Sequence, residues 1–302
     1  MKDAAGIFLR GLAMGAADVV PGVSGGTVAL ITGIYERLIG ALVAADREAL
    51  ILLARGRWRA LWYRLDGPFI TLLLAGILTA IFSLASAIHW LLGHYPQPLW
   101  SFFAGLILIS GILLVQQEVN MAKLDHFAMF TVGAVLAVGI ATMPPSSFMT
   151  GFPGFFFAGA IAICAMILPG ISGSFILLLL GMYAPVLGAV REGQLSELAV
   201  FALGCAVGLL AFTRLLHWLL TYARLRMIAF LSGILLGSLV AVWPWRVAVV
   251  FGAADGSARW TRAALPTHPA IADPQWLLCG GTFILGIAAV LILQRLSGHA
   301  GR

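Results

Sequence analysis

The sequence predicts an all-α polytopic membrane protein made of two inverted repeats, each a re-entrant helical hairpin plus three transmembrane helices. Three observations predict it. The chain is too apolar to face water, its apolar runs reach spanning length, and a Pro-Gly-x-Ser-Gly loop occurs twice inside a longer internal duplication.

Of 302 residues, 61% are hydrophobic and 10% are charged, against about 25% charged in an ordinary soluble domain. Such a chain cannot cover a water-facing surface. The net charge is +6, but the basic residues fall between apolar runs, as membrane orientation requires; no nucleic-acid surface is read from them. Cys164, Cys205 and Cys279 lie inside apolar runs without CxxC spacing. That argues against a disulfide framework or a metal site and for small packing residues.

Segments 67–92, 99–116, 127–142, 198–220, 228–245 and 275–293 are apolar and span, or nearly span, a hydrocarbon core of ~30 Å. Trp90, Trp100, Trp243 and Trp245 fall at segment ends, where amphipathic rings prefer the interface. Regions 5–43 and 153–190 are apolar too, but broken. The first break is Asp18-Val19-Val20-Pro21-Gly22-Val23-Ser24-Gly25-Gly26, and the second is Leu168-Pro169-Gly170-Ile171-Ser172-Gly173-Ser174.

Laid on each other at an offset of 148 residues, these regions match beyond the loop. Pro21, Gly22, Ser24 and Gly25 meet Pro169, Gly170, Ser172 and Gly173, and Gly33 and Tyr35 meet Gly181 and Tyr183. At an offset of 128, His89-Trp90-Leu91-Leu92 recurs as His217-Trp218-Leu219-Leu220, and Gly105 as Gly233. The change of offset gives the first half 20 extra residues. The chain reads as an internal duplication, with repeats over 1–145 and 146–302.

Within the extra stretch, 46–65 carries Arg47, Arg55, Arg57, Arg59 and Arg64, with Trp58, Leu61, Trp62 and Leu65 at helical spacing. This suits an amphipathic helix on the cytoplasmic face. If each broken region is a hairpin and the N-terminus is inside, 12 Lys and Arg lie inside and 4 outside. If each crosses once, the better orientation leaves 10 inside and 6 outside. The positive-inside rule favours the hairpins. Both termini are then cytoplasmic, in a bacterial inner membrane, with 246–274 a periplasmic loop. Three crossings per half invert the halves, so the two hairpins enter from opposite faces.

Proline breaks a helix and glycine permits reversal, while Ser24 and Ser172 are suited to cap the half-helices that follow. A half-helix beginning near the midplane offers free N–H groups and a positive dipole end to an anion. Ser24, Gly25, Gly26 and Thr27, with Ser172, Gly173 and Ser174, therefore form the candidate substrate-binding set. Arg214 joins them, because a charge inside segment 198–220 is costly and its forked donors suit phosphate. Asp18, Glu36 and Arg37 are candidates for coupling or gating. Asp18 aligns with Met166 and Arg37 with Pro185, so the site is not symmetric. His89 and His217 read as packed or interfacial.

The run from Asp18 to Thr27, followed by Gly33-Ile34-Tyr35, resembles the PopT-type undecaprenyl phosphate translocase family, and Pro169–Ser174 with Gly181-Met182-Tyr183 resembles that family's second motif. The resemblance covers nearly the whole chain. It implies a flippase that returns undecaprenyl phosphate from the outer to the inner leaflet for reuse in envelope synthesis, without metal or cofactor. Its partners would be that lipid and the surrounding membrane. Two alternatives stay open from the residues themselves. One is a transporter of a small soluble anion. The other is an intramembrane serine hydrolase, since Gly22-Val23-Ser24-Gly25-Gly26 satisfies G-x-S-x-G; the duplicated serine and the lack of an evident His-Asp arrangement count against it.

Overall fold

The computed structural model describes residues 4–18, 24–143, 151–247, 250–252, 259–261, 265–266 and 275–298. The first loop's Val19, Val20, Pro21, Gly22 and Val23 lie outside them, as does most of 246–274.

The first half runs through α1 (Ala4–Asp18), α2 (Gly25–Ile31), α3 (Tyr35–Val43), α4 (Arg47–Ala54), α5 (Trp58–Arg64), α6 (Gly67–His94), α7 (Pro96–Glu118) and α8 (Leu124–Thr142). The second half follows that order without the α4–α5 insert. It holds α9 (Gly151–Ile167), α10 (Gly173–Leu179), α11 (Tyr183–Glu192), α12 (Leu195–Tyr222), α13 (Arg224–Gly237) and α14 (Trp276–Gly298). By length and composition α6, α7, α8 and α12 can each cross a membrane.

Several expectations change in detail. Segment 228–245 is not one helix: α13 starts earlier, at Arg224, and stops at Gly237, where a 3₁₀ turn over Ser238–Val240 follows. The 46–65 helix is two short helices separated at Gly56, whose φ is +64°. Its Leu50, Trp58 and Tyr63 are exposed, the presentation expected of a membrane-surface element. Within 246–266 the chain forms short antiparallel extended pairs, β1 (Arg246–Val247) with β4 (Leu265–Pro266) and β2 (Val250–Gly252) with β3 (Arg259–Thr261). The regular structure is otherwise helical among the described residues.

Each broken region contains a further bend. After α1, α2 and α3 are bent by 116°. In the second half α10 and α11 bend by 107°. Both bends turn on a left-handed glycine, Gly33 at φ +73° and Gly181 at φ +69°, a conformation that costs glycine little.

Four helix pairs carry the packing: α1 with α6, α9 with α12, α7 with α14, and α8 with α13. Each crosses on two glycines, respectively Gly11/Gly76, Gly159/Gly204, Gly105/Gly286 and Gly133/Gly233. A Cβ on either glycine would strike the carbonyl of the residue three before the other. Those carbonyls belong to Phe8, Leu73, Phe102, Phe130, Phe156, Phe201, Phe230 and Phe283. Small residues let helices in lipid approach closely enough for dispersion to hold them. Along α1 and α6 the contacts advance together, from Gly11 on Leu73 to Gly15 on Ile77, so the two helices run parallel. The same holds for α9 with α12, where Gly204 faces Phe156 and Gly208 faces Ala160. One buried cluster, including Ile7, Tyr35, Phe69, Ile107, Leu216 and Leu231, joins the halves.

Candidate functional site

The two broken regions meet where α2 begins against the C-terminal end of α9. The Ser24 side chain, 1% exposed, accepts the Gly26 N–H at 3.1 Å and caps α2. Its hydroxyl is directed at the carbonyls of Met166 (3.2 Å) and Leu168 (3.5 Å) in the other half. Tyr35, also buried, donates its hydroxyl to the Ile167 carbonyl at 3.2 Å. Thr27 is fully buried, and its Oγ1 accepts the Gly170 N–H at 2.8 Å. A helix leaves its last carbonyls without internal partners, and here side chains from the first half supply them.

The first-turn donors of α2 are occupied. The Gly25 N–H donates to the Asp18 carboxylate at 2.6 Å, and the Thr27 N–H to the Ser24 carbonyl at 2.9 Å. The acidic group held at this helix start is therefore the protein's own Asp18. Room is tight as well: a Cβ on Gly26 would come within 2.8 Å of the Ile167 carbonyl oxygen, and one on Gly25 would strike the Asp18 carboxylate.

The second loop is looser. Ser172 is buried, but its Oγ makes a 2.8 Å hydrogen bond with the Ser174 hydroxyl and does not cap α10. The cap expected of Ser172 is absent. Ser174 is exposed, while Gly173 packs against the Ala162 carbonyl.

Arg214 is not brought to either loop. It lies exposed on α12, and its Nη1 donates to the Leu210 carbonyl of its own helix at 2.9 Å. Glu36 and Arg37 part company. Arg37 forms a forked pair with Asp66 at 2.6 and 3.0 Å and sits 4.3 Å over the Phe69 ring. Glu36 pairs with Arg224 at 2.8 Å, and the same guanidinium reaches Glu118 at 2.8 Å.

Sequence reasoning missed Arg224 and Glu118, which close this three-way clasp, and Arg226, which pairs with Asp125 at 2.8 Å. The two arginines sit at a junction between apolar runs, where positive charge is expected and no single arginine stands out. Among the described residues no group of three or more His, Cys, Asp or Glu side chains comes together as a metal site would require.

A family model described as undecaprenyl phosphate translocase-like matches residues 14–258, a stretch that contains both loops. The chain belongs to that family. Among its relatives, a polyprenyl-phosphate transporter of Vibrio cholerae serotype O1 is 48% identical over 239 residues, covering 79% of this chain and 77% of the relative. A polyprenyl-phosphate transporter of Staphylococcus aureus is 29% identical over 309 residues, covering 97% and 96%. No solved structure matches the chain significantly.

Proposed function

We propose that this chain moves a polyprenyl phosphate, undecaprenyl phosphate in particular, from the outer to the inner leaflet of the bacterial cytoplasmic membrane. The observation that carries the reading is the junction of the two loops, where Ser24, Thr27 and Tyr35 of one half hold residues 166–170 of the other. The family and the names of its relatives supply the substrate class.

The halves 1–145 and 146–302 act as inverted repeats. Support for this comes from the helix directions. The Arg224–Glu118 pair joins the end of α7 to the start of α13, two residues after α12 ends. α6 therefore starts at the edge where α12 finishes. Since α1 runs with α6 and α9 runs with α12, the two loops approach from opposite faces. The positive-inside rule puts the Arg224 edge in the cytoplasm, with both termini there.

The phosphate passes the loop junction. Ser172, Gly173 and Ser174 form its more accessible side, while Ser24, Gly25, Gly26 and Thr27 become available as the loops part. Asp18 then yields the Gly25 amide to the phosphate. Glu36 gates through Arg224, and Arg37 braces α3 on α6. Arg214 falls outside this site.

Hydrolysis is less well supported. A serine nucleophile needs a base in hydrogen-bond reach, whereas the partners of Ser24 are backbone groups and that of Ser172 is another serine. Reconstitution in proteoliposomes tests the proposal. Protein-dependent loss of labelled undecaprenyl phosphate from the outer leaflet is expected. Uptake of soluble phosphate with no lipid movement would sink it, and fluorophosphonate labelling of Ser24 would favour the hydrolase.

A further inference from the structure

A lateral groove of about 580 Å³ opens between α8, α12 and α13, within the ~300–1,000 Å³ range of ligand pockets. Buried Leu216 and Met227 help form its lining, with the exposed Leu136 of α8 and Leu215 of α12. Every lining residue is apolar except Arg226. The groove runs from Phe212 on α12 to Ala223 just past its end, roughly 16 Å at 1.5 Å per residue, about half of a ~30 Å hydrocarbon core. Arg226 belongs to the α12–α13 edge. Leu168, also in the lining, carries a carbonyl 3.5 Å from the Ser24 hydroxyl. The groove thus links a charged membrane edge to the loop junction.

We infer that this groove holds the polyprenyl chain of the substrate, with the phosphate at Arg226 when the lipid occupies the cytoplasmic edge. The inference rests on the transporter reading and extends it to the tail. A polyprenyl phosphate has one hydrocarbon chain and one anionic head, matching one apolar trough with one cation among its lining residues. The Arg226 pair with Asp125 is made through Nε, one of five guanidinium N–H donors, so the fork retains donors for phosphate. An apolar lining suits an isoprenoid surface, which offers nothing for polar groups to bond.

The test uses the full chain in proteoliposomes, with a photoreactive benzoylphenylalanine at Leu136 or Leu215 and radiolabelled undecaprenyl phosphate. Leu203 and Leu285, exposed on α12 and α14, serve as control positions. Adducts at the groove positions should exceed those at the controls several-fold. Unlabelled undecaprenyl phosphate should suppress them, whereas equal phosphatidylglycerol or inorganic phosphate should not. Equal yields at all four positions, or equal suppression by phosphatidylglycerol, would overturn the groove as a polyprenyl site. Flipping by the unmodified protein is measured in parallel. Flipping without specific groove adducts removes the groove alone, while specific adducts without flipping keep the groove and remove the transporter reading.

Discussion

The first bent pair is held by ion pairs, whereas the second carries none among the described residues. α3 reaches across to α12 of the other half. Arg224 grips Glu36 and Glu118 over a cavity of about 280 Å³ that also touches Leu30, Gly33 and Tyr35. α11 instead packs on α12 of its own half, beside a cavity of about 450 Å³ lined in part by Ala184, Pro185, Gly188, Glu192 and Glu197. At the duplication offsets Glu36 becomes Ala184, Arg37 becomes Pro185 and Arg224 becomes Pro96. The bends and glycine crossings recur between halves, while the charges do not. On the transporter reading, shared backbone supplies the repeat and unshared charge selects which end is closed.

The largest effect is expected where aligned positions differ most. Gly26 aligns with Ser174. In Gly26→Val the new side chain must displace the Ile167 carbonyl that Tyr35 holds. Overpacking of this kind costs about 1–3 kcal/mol, and flipping should fall to background. Ser174→Val adds bulk at an exposed site and should retain measurable flipping. Equal loss in both would mean that the two loops are equally tight.

Next come the two loop serines. Removing an N-cap costs about 0.5–2 kcal/mol, and Ser24→Ala also strips the hydroxyl from Met166 and Leu168. Ser172→Ala loses one bond to Ser174, worth about 0.5–1.5 kcal/mol net. Thermal unfolding in detergent should show the larger drop for Ser24→Ala, and flipping should be reduced in both without vanishing. An all-or-none loss confined to Ser24 would instead point to a nucleophile.

These differences show how much was legible in the sequence. The duplication offsets already paired Gly33 with Gly181 and Gly105 with Gly233, without marking bends or crossings there; the same offsets relate Gly11 to Gly159 and Gly76 to Gly204, which sequence reasoning missed. A Phe-x-x-Gly spacing recurs at seven of the eight crossing positions, but spacing alone does not say which glycines face another helix. Ser24 and Ser172 look equivalent in sequence; besides a partner two residues on in each case, Ser24 meets carbonyls 142 and 144 residues away. Hydropathy marks Arg214 as costly but cannot say that its guanidinium bonds its own helix. Nor does hydropathy register the stop of α13 at Gly237.

A smaller effect is expected at the clasp, because its ion pairs are partly exposed and such pairs contribute about 0.2–1 kcal/mol each. In a background with Cys164, Cys205 and Cys279 replaced by Ala, a cysteine at Leu30 reports on the cavity beneath. Arg224→Ala should speed its reaction with a membrane-impermeant maleimide several-fold, and added salt should do so more weakly. An unchanged rate would show that α3 is held by packing alone.

The smallest effect lies in the insert that only the first half owns. The Arg64 guanidinium, hydrogen-bonded to Asp46 at 2.6 Å, holds that carboxyl below its ordinary range, and the Ala49 N–H at 3.0 Å adds to the shift. A carboxyl lowered in the folded state stabilises it fully above the unfolded value of about 3.9. That contribution fades as pH falls through the lower folded value, where protonation breaks the Asp46–Arg64 pair, leaves Arg64 on Glu48 alone and weakens the cap. Asp46 and Arg64 are solvent-screened, so the change is confined to α4 and α5 and leaves the glycine crossings intact. Acidification into this range should shift the emission of Trp58 and Trp62 ahead of any global unfolding. Asp46→Asn keeps a side-chain oxygen for the Ala49 N–H but has no proton to gain, so its low-pH step should disappear. A step of unchanged size in Asp46→Asn would place the acid sensitivity elsewhere and leave the insert without a separate electrostatic fastening.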